Sequence, residues 1–155
     1  MASITLRSAT PDDRPRIREL LATCFGSRPD PADLEISADL FPIERAIVAV
    51  DGDKIVGHTV DRTMTVTVPG LNTVQACGVS AVGVAPTHRR RGILRALYTE
   101  LHRRAEADGL PITMFTASEG TIYGRFGYGP RPSATRSASI GARPNSGPAH
   151  RIPVE

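Results

Sequence analysis

Two short stretches of this chain carry residue types that could do chemistry. The first is Thr87-His88-Arg89-Arg90-Arg91-Gly92-Ile93-Leu94-Arg95, which gathers guanidinium groups around a glycine. Guanidinium forks match phosphate oxygens in pairs, so this stretch suits an anionic ligand. The second is Thr116-Ala117-Ser118-Glu119-Gly120-Thr121-Ile122-Tyr123-Gly124-Arg125-Phe126-Gly127-Tyr128-Gly129-Pro130, which sets two phenols among glycines. A phenol with a pKa near ~10 keeps its proton at neutral pH and can give it to a leaving group. Spacing alone does not choose between Tyr123 and Tyr128.

The arginine run lies where one element changes into another. Upstream, residues 79–86 (VSAVGVAP) read as a buried strand. Downstream, Ile93, Leu94, Leu97, Tyr98, Leu101 and Ala105 recur at three- and four-residue steps, which predicts a helix over 91–108 capped by Gly109. At such a helix N-terminus the first backbone N–H groups have no intrahelical partner, and the helix dipole adds positive partial charge. That arrangement holds a phosphate or pyrophosphate. Arginines do not offset this end of a helix; they make it more positive, so an anion is expected there. Arg103 and Arg104 are different, because cations late in the helix suit its dipole and Glu100 lies within i,i+4 reach of Arg104.

The remaining elements must support that junction. Residues 4–7 alternate as a first strand, and Thr10-Pro11-Asp12-Asp13 supplies an N-cap with proline at the first helical position. The helix that follows is expected to bury Ile17, Leu20, Leu21 and Cys24 or Phe25, and to stop at Gly26. Residues 31–40 suggest a second short helix with Leu34, Ile36 and Leu40 inward. Residues 46–50 and 54–58 flank Asp51-Gly52-Asp53 as a hairpin, 64–68 continue as strand, and Pro69-Gly70 turns the chain toward 74–84. Residues 112–116 are expected to form a buried strand. The expectation is an α/β domain over 1–130, a mixed sheet with helices on both faces. Residues 131–155 turn to Pro, Arg and Ser and are expected to be a poorly ordered tail.

Composition narrows the partners. Lys+Arg of 19 against Asp+Glu of 16 leaves a net charge of +3, with Lys54 the single lysine, so the basic excess is arginine. A small global charge without interleaved aromatics argues against nucleic acid and for a local phosphate-bearing ligand. No apolar run reaches membrane-spanning length and no signal-type start is present, so a cytoplasmic protein without a membrane partner is expected. Cys24 and Cys77 have no metal-ligand spacing; they are expected to be buried free thiols, and no metal is expected.

The strand, arginine–glycine loop and long helix together resemble the acyl-CoA-binding signature of the GNAT N-acyltransferase superfamily. Residues 84–92 taken with 116–130 resemble the N-terminal domain of the Eis (enhanced intracellular survival) acetyltransferases, which acetylate amines of aminoglycosides and, for some members, protein lysines. The likeness is most specific over residues 79–130. It implies a GNAT-type fold, acetyl-CoA as co-substrate, a primary-amine acceptor that is aminoglycoside-like or lysine-like, and a homo-oligomer. It implies that Val82, Gly83 and Val84 meet the pantetheine arm with their main chain, the N–H groups polarising the thioester. Cofactor contacts are implied at Arg89, with the pyrophosphate on Arg90, Arg91, Gly92, Ile93, Leu94 and Arg95, and further contacts at Ser118 and Glu119. It selects Tyr123 as the general acid and leaves Tyr128 to packing. The family's general base is a carboxylate at the extreme C-terminus of a much longer chain; within this sequence Glu119, Asp61, His58 and His88 are the residual candidates. A CoA-binding relative without efficient turnover and a basic polyanion-binding module are the alternative readings.

Overall fold

A computed structural model describes residues 4–26, 41–117 and 120–129. Five strands lie in the order of the chain: β1 (Thr5–Ser8), β2 (Ile47–Asp51), β3 (Lys54–Thr67), β4 (Thr73–Val84) and β5 (Ile112–Met114). The pairs β1–β2, β2–β3 and β3–β4 are antiparallel, and β4–β5 is parallel. A parallel neighbour needs a crossover, and the long helix α2 (Ile93–Ala107) provides it. The other helix, α1 (Arg14–Phe25), follows β1.

Strand alternation distributes the core between two faces. Ala46, Val48 and Val60 pack with Ile17 and Leu20 of α1. Ile47, Ala49 and Val79 face the other way and pack with Ile93, Leu97 and Leu101 of α2. Both faces of the mixed sheet are therefore covered, as its apolar residues require. The start of α2 lies close on β3: a Cβ added to Gly57 would sit 2.7 Å from Ile93 Cγ2. Among the described residues no helix is long and apolar enough to cross a membrane.

Several boundaries differ from the sequence expectation. The strand expected to be buried over 112–116 is only Ile112–Met114, at the sheet edge, with Ile112 37% exposed. The helix after β1 begins at Arg14, not Pro11, because Pro11–Asp13 form a separate 3-10 turn. Asp13 Oδ2 accepts from Thr10 N at 2.8 Å and Thr10 Oγ1 at 3.1 Å, which fixes the turn. Residues 54–58 and 64–68 are not two strands but parts of one, β3, running through to Thr67. Polar residues in the middle of β3 concealed this. Asp61 is buried there because Arg45 Nε and Nη2 donate to its Oδ2 at 3.2 and 2.5 Å. Finally, α2 starts at Ile93, not at residue 91, since Arg90 (φ 62°) and Gly92 (φ 78°) are left-handed. The helix expected over 31–40 and the tail expected over 131–155 lie outside the described residues.

Candidate active-site cleft

The cleft begins with an irregularity in β4. Val60 pairs with Ser80 and His58 with Gly83, so Ala81 and Val82 together oppose Thr59 alone. Ala81 takes φ 49° at this β-bulge. The buried His58 ring stabilises it, Nδ1 donating to the Ala81 carbonyl at 2.7 Å. Burial lowers the His58 pKa and favours the neutral ring. One base candidate is thus committed to shaping the strand.

Beyond the bulge β4 has an open edge. Its pairing with β5 ends at Gly78–Met114, so residues 79–84 have no strand partner on that side among the described residues. Ala85 N donates to Val56 O at 2.8 Å on β3. The alternation of an antiparallel ladder then turns the Val84 N–H toward the open edge.

The loop that follows is held at one end and exposed at the other. His88 Nε2 lies 3.1 Å from Asp51 Oδ2 and its Nδ1 lies 2.8 Å from Thr87 Oγ1, so both ring nitrogens are engaged. The ring anchors the loop to the β2–β3 hairpin, a role that competes with service as a base. Gly92 needs its freedom: its φ of 78° is left-handed, and a Cβ there would meet open space, so backbone conformation alone demands glycine. The first intrahelical bond of α2 runs from Ala96 N to Gly92 O at 3.0 Å. The amides of Ile93, Leu94 and Arg95 therefore precede the hydrogen-bonded ladder, and no acidic residue sits in that turn.

Opposite the loop stands an aromatic wall. The buried Tyr98 ring of α2 stacks on Phe126 (centroids 5.0 Å, 13° between planes) and meets Tyr123 edge-on at 6.0 Å. Phe115 packs against both Tyr123 (4.4 Å) and Tyr128 (4.6 Å). The Tyr123 carbonyl accepts from Phe126 N at 2.9 Å and anchors the 3-10 turn Gly124–Phe126. Tyr128 packs in this wall, as expected, with its hydroxyl 2.8 Å from His102 Nε2.

These parts enclose a cleft of about 650 Å³. It is lined by eleven of the expected residues: Val82, Gly83, Val84, His88, Arg89, Arg90, Gly92, Ile93, Leu94, Arg95 and Tyr123. Arg91 is exposed on the same loop and is not part of the lining. Ser118 and Glu119 lie outside the described residues. Asp61 and His58 do not line the cleft, and no carboxylate does among its described lining residues.

The sequence reading missed several wall residues. Cys24 and Phe25, at the end of α1, close one side. Phe25 is 58% exposed rather than buried in the core, and Cys24 is half-buried with Sγ 3.5 Å from the Val84 carbonyl. Burial raises the Cys24 thiol pKa, and the nearby Arg89 charge works against that rise. Ile122, Arg125 and Phe126 complete the wall beside Tyr123. Their signal was present in the segment already singled out, but helical or strand periodicity does not extend through 3-10 turns.

Residues 5–131 match the acetyltransferase (GNAT) domain family. The N-acetyltransferase Eis of Mycobacterium tuberculosis is 44% identical over 132 residues, covering 83% of this chain and 33% of the relative. The crystal structure of Eis1 from Mycobacterium abscessus superposes with a TM-score of 0.72 at 30% identity, covering 82% of this chain and 31% of that one. The structure of AAC(6')-Iy in complex with a CoA-linked acetylneamine bisubstrate analogue shares the fold, with a TM-score of 0.69, 18% identity, and coverage of 87% and 98%. The chain spans about a third of the length of the curated relatives it matches. With the family match running from β1 past the Tyr123 segment, and with the five-stranded mixed sheet it predicts, the chain belongs to the GNAT acetyltransferase family.

Proposed function

We propose that this chain is the acetyl-CoA-binding domain of an Eis-like N-acetyltransferase, which transfers acetyl to a primary amine of an aminoglycoside-like or lysine-like acceptor. The observation that carries the reading is one cleft lined by the open edge of β4, the arginine-rich start of α2 and the Tyr123 phenol. Its volume of about 650 Å³ suits a cofactor-sized ligand. The AAC(6')-Iy neighbour, which holds a CoA-linked analogue, supports the same choice of ligand on the same fold.

Each wall has a distinct task in this reaction. Arg89, Arg90 and the free amides at 93–95 receive the pyrophosphate, with Arg91 and Arg95 adding positive potential around it. The pantetheine arm lies along Val82–Val84, where main-chain N–H groups stabilise the oxyanion formed at the thioester carbonyl. Ser118 and Glu119 belong to the same cofactor contact by resemblance. The neutral amine attacks the carbonyl carbon and the C–N bond forms. The C–S bond then breaks as Tyr123 gives its phenolic proton to the sulfur, releasing CoA as a thiol. The surplus amine proton leaves through water and restores Tyr123, so one proton passes in net from nitrogen to sulfur.

The test is acetyl-CoA binding by calorimetry together with thiol release in the presence of an aminoglycoside, for wild type and Tyr123→Phe. The expected result is unchanged acetyl-CoA affinity and a turnover loss of about 10²–10⁴ in the variant, the usual range for a removed general acid. Absence of acetyl-CoA binding overturns the whole reading. Binding equally strong for unrelated polyanions, without preference for CoA, selects the polyanion module instead.

A further inference from the structure

Tyr98 is 1% exposed, and its hydroxyl oxygen makes no well-formed hydrogen bond, although the Tyr123 phenol lies near enough to act on it as a hydrogen-bonding neighbour. Buried polar groups without partners are uncommon, and each calls for an explanation. Phenylalanine would fill the same space without an unsatisfied hydroxyl. The ring is clamped by its stack on Phe126 at 5.0 Å and by edge contacts with Tyr128 at 5.7 Å and Tyr123 at 6.0 Å. The Tyr128 hydroxyl already has His102 Nε2 at 2.8 Å. Tyr123, on the cleft wall, is the other phenol beside Tyr98.

We propose that Tyr98 is a positioning residue for Tyr123: its buried hydroxyl donates to the Tyr123 oxygen once that oxygen has given up its proton. The inference rests on Tyr123 acting as the general acid. During turnover the Tyr123 O–H bond breaks, the proton passes to the departing sulfur, and a phenolate is left behind a wall of aromatic rings. Tyr98 keeps its own proton and supplies a hydrogen bond to that phenolate. A donor aimed at the charged form lowers the pKa of the group that bears it.

The surroundings favour Tyr98 as donor. Burial, and then the neighbouring Tyr123 and Tyr128, hold the Tyr98 phenol protonated far above its ordinary range. Tyr128 is pushed up to about 12 by burial, and Cys77 on β4 likewise to about 12, so neither becomes an anion in the working range. Burial lowers the pKa of His102 on α2, which favours its neutral form. Arg125 on the cleft lining is the cationic group of the Tyr123 segment.

The chain has three tyrosines, Tyr98, Tyr123 and Tyr128, so a ¹³Cζ-tyrosine NMR titration gives three resolvable signals. Tyr123→Phe assigns one of them. In Tyr98→Phe, which keeps the stack on Phe126, the Tyr123 titration is expected to move up by roughly half to one pH unit. The alkaline limb of thiol release should move with it, with kcat lower by about 3–10-fold and the KM for acetyl-CoA little changed. An unmoved Tyr123 titration in a folded Tyr98→Phe chain overturns the proposal. Should that variant fail to fold, Phe126→Leu, which loosens the stack but keeps the hydroxyl, is expected to raise the Tyr123 titration partway, and no rise there overturns the proposal equally. Because the titration does not need turnover, a shifted Tyr123 signal in a chain that releases no CoA thiol refutes the acetyltransferase reading while leaving the Tyr98–Tyr123 coupling in place.

Discussion

His88 Nε2 lies 3.1 Å from Asp51 Oδ2, joining the loop before α2 to the tip of the β2–β3 hairpin. The contact is partly buried, with side-chain exposures of 15% and 25%. Removing the acceptor should loosen the loop that presents Arg89 and Arg90 without disturbing the core. Asp51→Ala is therefore expected to weaken acetyl-CoA binding by about 3–10-fold, the equivalent of one modest hydrogen bond. Calorimetry on the variant checks this, with the thermal midpoint expected to stay close to wild type.

Gly92 separates backbone strain from charge. Alanine would meet no atom there but would have to adopt a left-handed φ of 78°, costing about 1 kcal/mol. Aspartate tolerates that conformation better, yet sets a carboxylate where the pyrophosphate is expected. Gly92→Ala should retain measurable acetyl-CoA binding, whereas Gly92→Asp should lose it while remaining as stable as Gly92→Ala. Equal binding by the two variants would remove the pyrophosphate from this loop.

Gly57 tests how closely α2 must sit on the sheet. An added Cβ would come within 2.7 Å of Ile93 Cγ2, 3.1 Å of Ala49 Cβ and 3.2 Å of Leu97 Cδ1. All three neighbours are in the core, where overpacking costs about 1–3 kcal/mol. Gly57→Ala should lower the urea midpoint correspondingly. Because Ile93 begins α2, acetyl-CoA affinity should fall as well.

Acid stability should depend on Asp13. Arg7 donates to both of its oxygens, at 2.6 and 2.8 Å, and this bidentate pair, aided by Thr10, holds the carboxyl well below the usual carboxylate range despite burial. A depressed folded-state pKa means the stabilisation is fully present above the unfolded value near ~4 and is lost as pH falls through the folded value. Asp13→Asn should cost about 1–2 kcal/mol at pH 6, and its deficit relative to wild type should shrink steadily below pH ~4. Urea unfolding at a series of pH values reads this directly.

Much of this protein was determined locally. The apolar stripe of α2, the glycine turn of the β2–β3 hairpin and the arginine–glycine junction all follow from short-range periodicity and turn chemistry, which a chain carries before it folds. The Glu100 pairing was legible at i,i+4 spacing, where Arg104 Nε lies 2.8 Å from Oε1, and Arg103 adds a contact at i,i+3. What tertiary structure decided involves residues far apart in sequence. Asp61 belongs in a strand because Arg45 reaches it, and Phe25 is a cleft residue because α1 ends beside β4. Tyr98, one more apolar position in a helix stripe, gains a buried hydroxyl in an aromatic wall with Tyr123 only when Phe126 returns to stack on it. Periodicity records which face of an element is buried; which polar groups meet across elements depends on register, crossover and the left-handed residues at 81, 90 and 92 that redirect the chain between them.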